Sequence, residues 1–205
     1  MRRFSFFVLL LAACGSDKPR ALDDPSAPPP HAADDQRQGG TTSLGSQGQT
    51  LPASLAWQGF AEGSDTATTV RLADLADPDG SRGIRGILVE TVTPLCSICI
   101  DERPTLDGLA NGKWRDLGIH VVQLVLEDDQ GTPATVETAH AWKVASGASW
   151  SVVADPGFTF SHTGTNPLPV RLAVDPRTMT VVTRTEGKDT TWAGVEALAA
   201  ANGAP

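Results

Sequence analysis

Residues 87–109 read Ile87-Leu-Val-Glu-Thr-Val-Thr-Pro-Leu-Cys-Ser-Ile-Cys-Ile-Asp-Glu-Arg-Pro-Thr-Leu-Asp-Gly-Leu109. Up to Val92 the stretch is apolar or β-branched except for Glu90, so Gly86 to Val92 is expected to be a buried strand. After Cys96 and Cys99, the residues Leu106, Leu109, Ala110 and Trp114 recur at helical spacing, which places a helix over 100–117. Two residues between the cysteines let both thiols meet at the start of that helix. Free N–H groups and the positive dipole end there stabilise a thiolate on Cys96. Such a thiolate attacks a disulfide, and Cys99, one turn inward, resolves the mixed disulfide.

Outward from this stretch, strands and helices alternate. His120 to Leu126 reads as a second buried strand, ended by the acidic turn Glu127-Asp-Asp-Gln-Gly131. Residues 134–146 form a helix with Val136, Ala139, Trp142 and Val144 toward the sheet. Trp150 to Val153, Val170 to Val174 and Thr180 to Arg184 follow as strands, and Trp192 to Ala200 as a last helix. Upstream, Thr66 to Arg71 is a short strand, Leu72 to Leu75 a helical turn, and Asp77-Pro-Asp-Gly80 a turn signal. Leu51, Leu55, Trp57 and Phe60 bring in the first packable side chains, with Trp57 against the sheet edge. The expected class is α/β, a central mixed sheet with helices on both faces.

The beginning of the chain is different in kind. Arg2 and Arg3 precede a run from Phe4 to Leu11 that is apolar except for Ser5, too short to span a hydrocarbon core of roughly 30 Å as a helix. Residues 1–13 have the shape of a secretory signal peptide. Leu11-Ala-Ala-Cys14-Gly15 resembles the lipobox of bacterial lipoproteins, whose cysteine accepts a diacylglyceryl group and becomes the new N-terminus. The resemblance implies lipidation, palmitate included, at Cys14 and attachment to the lipid bilayer in the bacterial cell envelope. No Asp follows Cys14, which by resemblance to enterobacterial sorting points to the outer membrane, facing the periplasm. Residues 14–50 mix Pro and Gly with polar residues and hold almost no large apolar ones, so a disordered tether is expected before a domain spanning 51–205.

Of 205 residues, 24 are Asp or Glu and 16 are Lys or Arg, a net charge of −8. Cleavage would remove Arg2 and Arg3 and leave 14 basic residues, a net −10. That balance argues against nucleic acid and against charge-driven membrane binding. The 3 cysteines exclude a disulfide scaffold, and lipidation of Cys14 would leave one pair. For that pair, half of a zinc site and a static structural disulfide are the competing readings. A zinc site needs four organised ligands, and only His31, His120, His140 and His162 could complete one, with His31 in the tether. No metal and no cofactor is therefore expected.

The stretch from Ile87 to Leu109 resembles the strand, active-site loop and helix of the thioredoxin-like superfamily, in particular its periplasmic TlpA-like and peroxiredoxin-like groups. The resemblance implies a buried acid at Glu90, six positions before Cys96, and a helix-kinking proline at Pro104. Asn166-Pro-Leu-Pro-Val-Arg-Leu-Ala-Val-Asp175 resembles the segment with the family's cis-proline, here Pro169, which faces the dithiol and exposes backbone for an extended substrate. Ser149 to Gly157 resembles a further strand followed by Asp. Leu95 stands where the family usually has an aromatic. A peroxiredoxin is disfavoured because Val89 occupies its proline position, and the copper-delivery relatives carry a different cysteine spacing. The implied activity is thiol-disulfide oxidoreduction on protein thiols or disulfides, with Cys96 as nucleophile, Cys99 resolving, Glu90 moving protons and Pro169 holding the partner backbone. The alternatives are a catalytically inactive lipoprotein of the same fold, serving as a binding or structural module, and a soft-metal chaperone. Asp101, Glu102 and Arg103 are expected to be solvated first turns of the helix, and Trp192 to dock the last helix.

Overall fold

The structure, a computed structural model, describes residues 44–161, 167–189 and 192–203. Cys14, the signal peptide and residues 14–43 of the expected tether lie outside them. Seven strands form one sheet: β1 (Ala56–Phe60), β2 (Ala67–Arg71), β3 (Gly86–Val92), β4 (Ile119–Val125), β5 (Ser151–Ala154), β6 (Val170–Asp175) and β7 (Thr180–Glu186), in the order β2-β1-β5-β4-β3-β6-β7. The pairs β3–β4 and β4–β5 are parallel and the rest antiparallel. The helices are α1 (Ser97–Asn111), α2 (Lys113–Leu117), α3 (Val136–Ser146) and α4 (Ala193–Gly203), and Leu72–Leu75 is a single 3₁₀ turn.

The mixed sheet is as expected, but the helices are distributed differently from the expected cover on both faces. Strand side chains alternate between two apolar clusters. Leu88, Val92, Val121, Val125, Val152 and Ala173 share one cluster with Cys99 and Leu106 of α1, Trp114 of α2, Trp142 of α3 and Leu198 of α4. Ile87, Val89, Val122, Leu124, Val153 and Leu172 belong to the other, covered by Leu51, Leu72, Ile84 and Phe160, with no α-helical residue among its described members. The reason is topological. The crossovers from β3 to β4 and from β4 to β5 step the same way along the sheet, and right-handed connections then lay both helical layers on the same face.

Local sequence explains the helix ends. Thr135 caps α3 through a reciprocal box with Thr138, and Gly147 ends it in the left-handed conformation. Gly118, at φ +69°, ends α2 the same way, and a Cβ there would run into the backbone oxygen of Gly83. The long expected helix is thus two, broken at Gly112. Two further differences stand out. Ala56–Phe60 is a strand, not merely a set of packable side chains. Residues 44–50, assigned to the tether, join the domain: Gly48 N–H donates to Val181 O, Val181 N–H to Gln49 O, and Leu51 N–H to Met179 O, at 2.8–2.9 Å. Gln49 folds back to accept from Gly45 N–H, which closes that turn. Among the described residues no helix is long and apolar enough to cross a membrane.

Candidate active site

The loop after β3 delivers Cys96 to the start of α1. Buried Thr93 accepts from Leu95 N–H through its hydroxyl and from Cys96 N–H through its carbonyl, which closes the turn. Cys96 is the N-cap residue of α1, and its Sγ accepts from Cys99 N–H at 3.1 Å. The two cysteines form a disulfide with their Cα atoms 5.3 Å apart. Their environments are unequal: Cys96 is half-buried, whereas Cys99 lies in the helix-side core. Leu95, next to Cys96, is 57% exposed, so the residue in the aromatic position is apolar and open to solvent.

Glu90 is buried on β3, on the same face of the sheet as Leu88 and Val92, beneath α1. It does not stand alone. Arg171 Nε donates to Glu90 Oε1 at 2.6 Å, and Gln123 Nε2 donates to Glu90 Oε2 at 2.7 Å. The register explains this: Glu90 lies opposite Gln123 on β4 and opposite Arg171 on β6, so all three point to the helix side. Gln123 Oε1 in turn accepts from Trp142 Nε1 at 3.0 Å and Trp150 Nε1 at 2.8 Å. Arg171 reaches further. Its Nη2 pairs with Glu102 on α1, and its Nη1 donates to the carbonyls of Gly187 and Asp189. The guanidinium also lies 5.3 Å from the centre of the Trp192 ring. Trp192 is buried against Trp114, edge to face, and so docks the last helix as expected.

Glu102 corrects an expectation. Asp101 is exposed and Arg103 half-buried, the latter over the Trp142 ring, but Glu102 is buried at 7% exposure. It faces the sheet because a cation waits there, 69 residues away in sequence. Arg171, Gln123 and Glu102 were not singled out as site residues in the sequence. The signal was present: Arg171 and Gln123 are lone polar residues in apolar strand runs, at the parity that puts them on the same face as Glu90.

The Leu168–Pro169 peptide is cis, the bond that the resemblance implied. Pro169 is buried, and β6 starts directly after it. Thr91 Oγ1 accepts from Val170 N–H at 3.0 Å, and Gly187 N–H donates to both Pro167 O and Pro169 O at 2.9 Å. The antiparallel register pairs Glu90 with Arg171, and continued two steps it sets Pro169 beside Val92, four residues before Cys96. His120 pairs with Glu62, and the ring of exposed His140 stacks on Phe60. Among the described residues no group of His, Cys, Asp and Glu could hold a metal ion.

The chain has a thioredoxin-like fold. It aligns with a thiol:disulfide interchange protein from a Bacteroides species at 20% identity, over 78% of this chain and 93% of that one, with a TM-score of 0.54. The thioredoxin domain of a thiol-disulfide oxidoreductase from Bacteroides vulgatus aligns at 20% identity over 74% and 96%, TM-score 0.52. A thio-disulfide isomerase from Thermus thermophilus aligns at 18% identity over 78% and 98%, TM-score 0.52. No family model and no curated protein matches the sequence.

Proposed function

We propose that the protein carries out thiol-disulfide exchange on exported proteins, held to the envelope membrane by an acylated Cys14. The observation that carries the reading is the asymmetric dithiol: a half-buried Cys96 capping α1, bonded to a core Cys99, above a buried acid. The thiol-disulfide activities for which the structural neighbours are named support it.

In the reducing direction, the Cys96 thiolate attacks one sulfur of a substrate disulfide. A mixed disulfide forms and one substrate thiolate leaves. Cys99, once deprotonated, attacks Cys96 Sγ and expels the second substrate sulfur as a thiolate. The pair loses two electrons, the substrate gains them, and the two leaving sulfurs take up protons. Oxidation of a substrate dithiol is the reverse. Glu90 is the carboxylate on the core side of Cys99 that serves this proton traffic. Its oxygens accept from Arg171 and Gln123, and both bonds favour the ionised form, so a proton is taken up there against them. The backbone next to Pro169 holds an extended partner segment in a short antiparallel pairing. The lipobox-like sequence around Cys14 and the acidic, non-adhesive surface support attachment by acyl chains, in the outer membrane facing the periplasm.

The test is turnover of insulin or glutathione disulfide by the parent and by Cys96→Ser, with a redox titration of the pair. Loss of turnover in the variant is expected. No turnover by the parent, together with a potential below about −300 mV, would mark the bond as structural. Incorporation of labelled palmitate that is lost in Cys14→Ser tests the anchor.

A further inference from the structure

We propose that Arg171 is the positioning residue of this site: it joins the dithiol helix, the buried acid and the cis-proline turn, and its charge sets how readily Cys96 becomes a thiolate. The inference rests on the thiol-disulfide reading and deepens it.

One guanidinium makes every connection. On β3 it holds Glu90, on α1 it holds Glu102, and beyond β7 it holds the Gly187 carbonyl. Gly187 N–H in turn fixes the carbonyls of Pro167 and Pro169, so the turn with the cis bond is secured through the same cation. Arg171 is 3% exposed, so it acts through the groups it holds.

The electrostatic consequence follows from place. Glu102 lies three residues beyond Cys99 on the same helix, a rise of about 4.5 Å. The cation that pairs with it therefore sits roughly 10 Å from the dithiol, where one unit charge in a buried setting moves a thiol midpoint by about one pH unit. Two carboxylates, Glu90 and Glu102, flank one cation. Removing the cation leaves their negative field beneath α1, opposing the helix dipole that favours the Cys96 thiolate. Other charges face the site as well. Asp189 borders the same small cavity as Arg171. Asp101 lies in the second turn of α1, and Asp128 and Asp129 lie in the loop whose Gly131 approaches Leu95. These are acidic; Arg103, the cation that α1 carries four residues after Cys99, lies over the Trp142 ring and is the same in every variant, so the difference between variants reads the charge at position 171.

The test uses the full reduced chain and follows iodoacetamide alkylation against pH, read by mass spectrometry at the peptide carrying Cys96. In Arg171→Met the midpoint is expected to rise by about one pH unit, and in Arg171→Lys, which keeps the charge, to return toward the parent value. In Glu102→Gln, which removes one negative charge and keeps the shape, it is expected to fall. If Arg171→Met does not fold, the Glu102→Gln shift decides. A folded Arg171→Met with an unchanged midpoint, a Lys variant no different from Met, or a Glu102→Gln midpoint that does not fall overturns the proposal. Failure of the exchange reading looks different: the parent then titrates normally and turns over no disulfide.

Discussion

Gln123 offers the sharpest test of how the interior is held. Its side chain makes three buried hydrogen bonds, accepting from Trp142 and Trp150 and donating to Glu90. Gln123→Met keeps the length and removes the amide. Two buried indole N–H groups then lose their acceptor, each costing about 1–3 kcal/mol, and a charge-assisted bond to Glu90 is lost as well. The expected loss is roughly 3–6 kcal/mol, a large part of the 5–15 kcal/mol typical of a domain, and a fall in Tm of roughly 10–20 °C. Urea unfolding followed by tryptophan fluorescence measures it, with far-UV circular dichroism to establish that the variant starts folded. A companion, Gln123→Glu, still accepts from both indoles but sets a carboxylate against Glu90. Its deficit should therefore shrink as the pH falls, whereas that of the Met variant should not. A loss below about 1 kcal/mol for Gln123→Met would refute the reasoning, because it would mean that both indoles find other partners at no cost.

Other perturbations follow from the same geometry. Burial pushes the Asp155 carboxyl above its ordinary value of 3.8, against the hydrogen bonds it accepts from Thr159. The folded protein therefore holds that proton more tightly than the unfolded chain, and its stability rises as pH falls from the raised folded value toward 3.8. Asp155→Asn should remove that slope in urea midpoints taken across the acid range, and a parent–variant difference that stays constant with pH would count against it. Lys113 beside Glu196 lowers the Glu196 carboxyl from its ordinary 4.5, so the contribution of this pair is present above 4.5 and lost as pH falls through the depressed value. Glu196 also accepts from the buried Trp114 indole at 2.9 Å, so Glu196→Ala should cost about 1 kcal/mol at neutral pH in chemical denaturation; no measurable loss would show the indole satisfied elsewhere. Gly147 and Gly118 both have positive φ, but a Cβ meets nothing at Gly147 and the Gly83 carbonyl at Gly118. Thermal unfolding should therefore show about 1 kcal/mol for Gly147→Ala and at least twice that for Gly118→Ala, and equal losses would mean that the loop at Gly83 yields freely.

The strand that decides the fold was legible to the residue, because Gly86–Val92 is an apolar run between a glycine and a Thr-Pro turn. The dithiol and a helix behind it were clear as well, since their pattern is local, but the break at Gly112 and the start at Ser97 were not. β1 was not, because Ala56-Trp-Gln-Gly-Phe60 carries a glycine next to its end and no clean alternation. That glycine lies so close to the β5 backbone at Val152 and Val153 that only a residue without a Cβ fits there. Residues 44–50 were hidden for a similar reason: backbone hydrogen bonds to β7, which leave little mark on composition, bind them to the domain. Glu102 read as a solvated helix residue because charge on a first turn is commonplace, and its cation lies in a strand near the other end of the chain. The polar layer around Glu90 exists only once β3, β4 and β6 are side by side, so no local window contains it.

The separation of that cation from its acids also bears on how the chain is made. Synthesis delivers Glu90 81 residues before Arg171, and Glu102 69 residues before it. A layer of β3, α1 and β4 alone would hold two carboxylates without their cation, which water must keep solvated. The helix cannot seat on the sheet without burying them unpaired, which is strongly unfavourable. Seating of α1 on the sheet is therefore favoured only once β6 brings Arg171 to both acids, which ties burial of Cys99 to the arrival of a residue far along the chain.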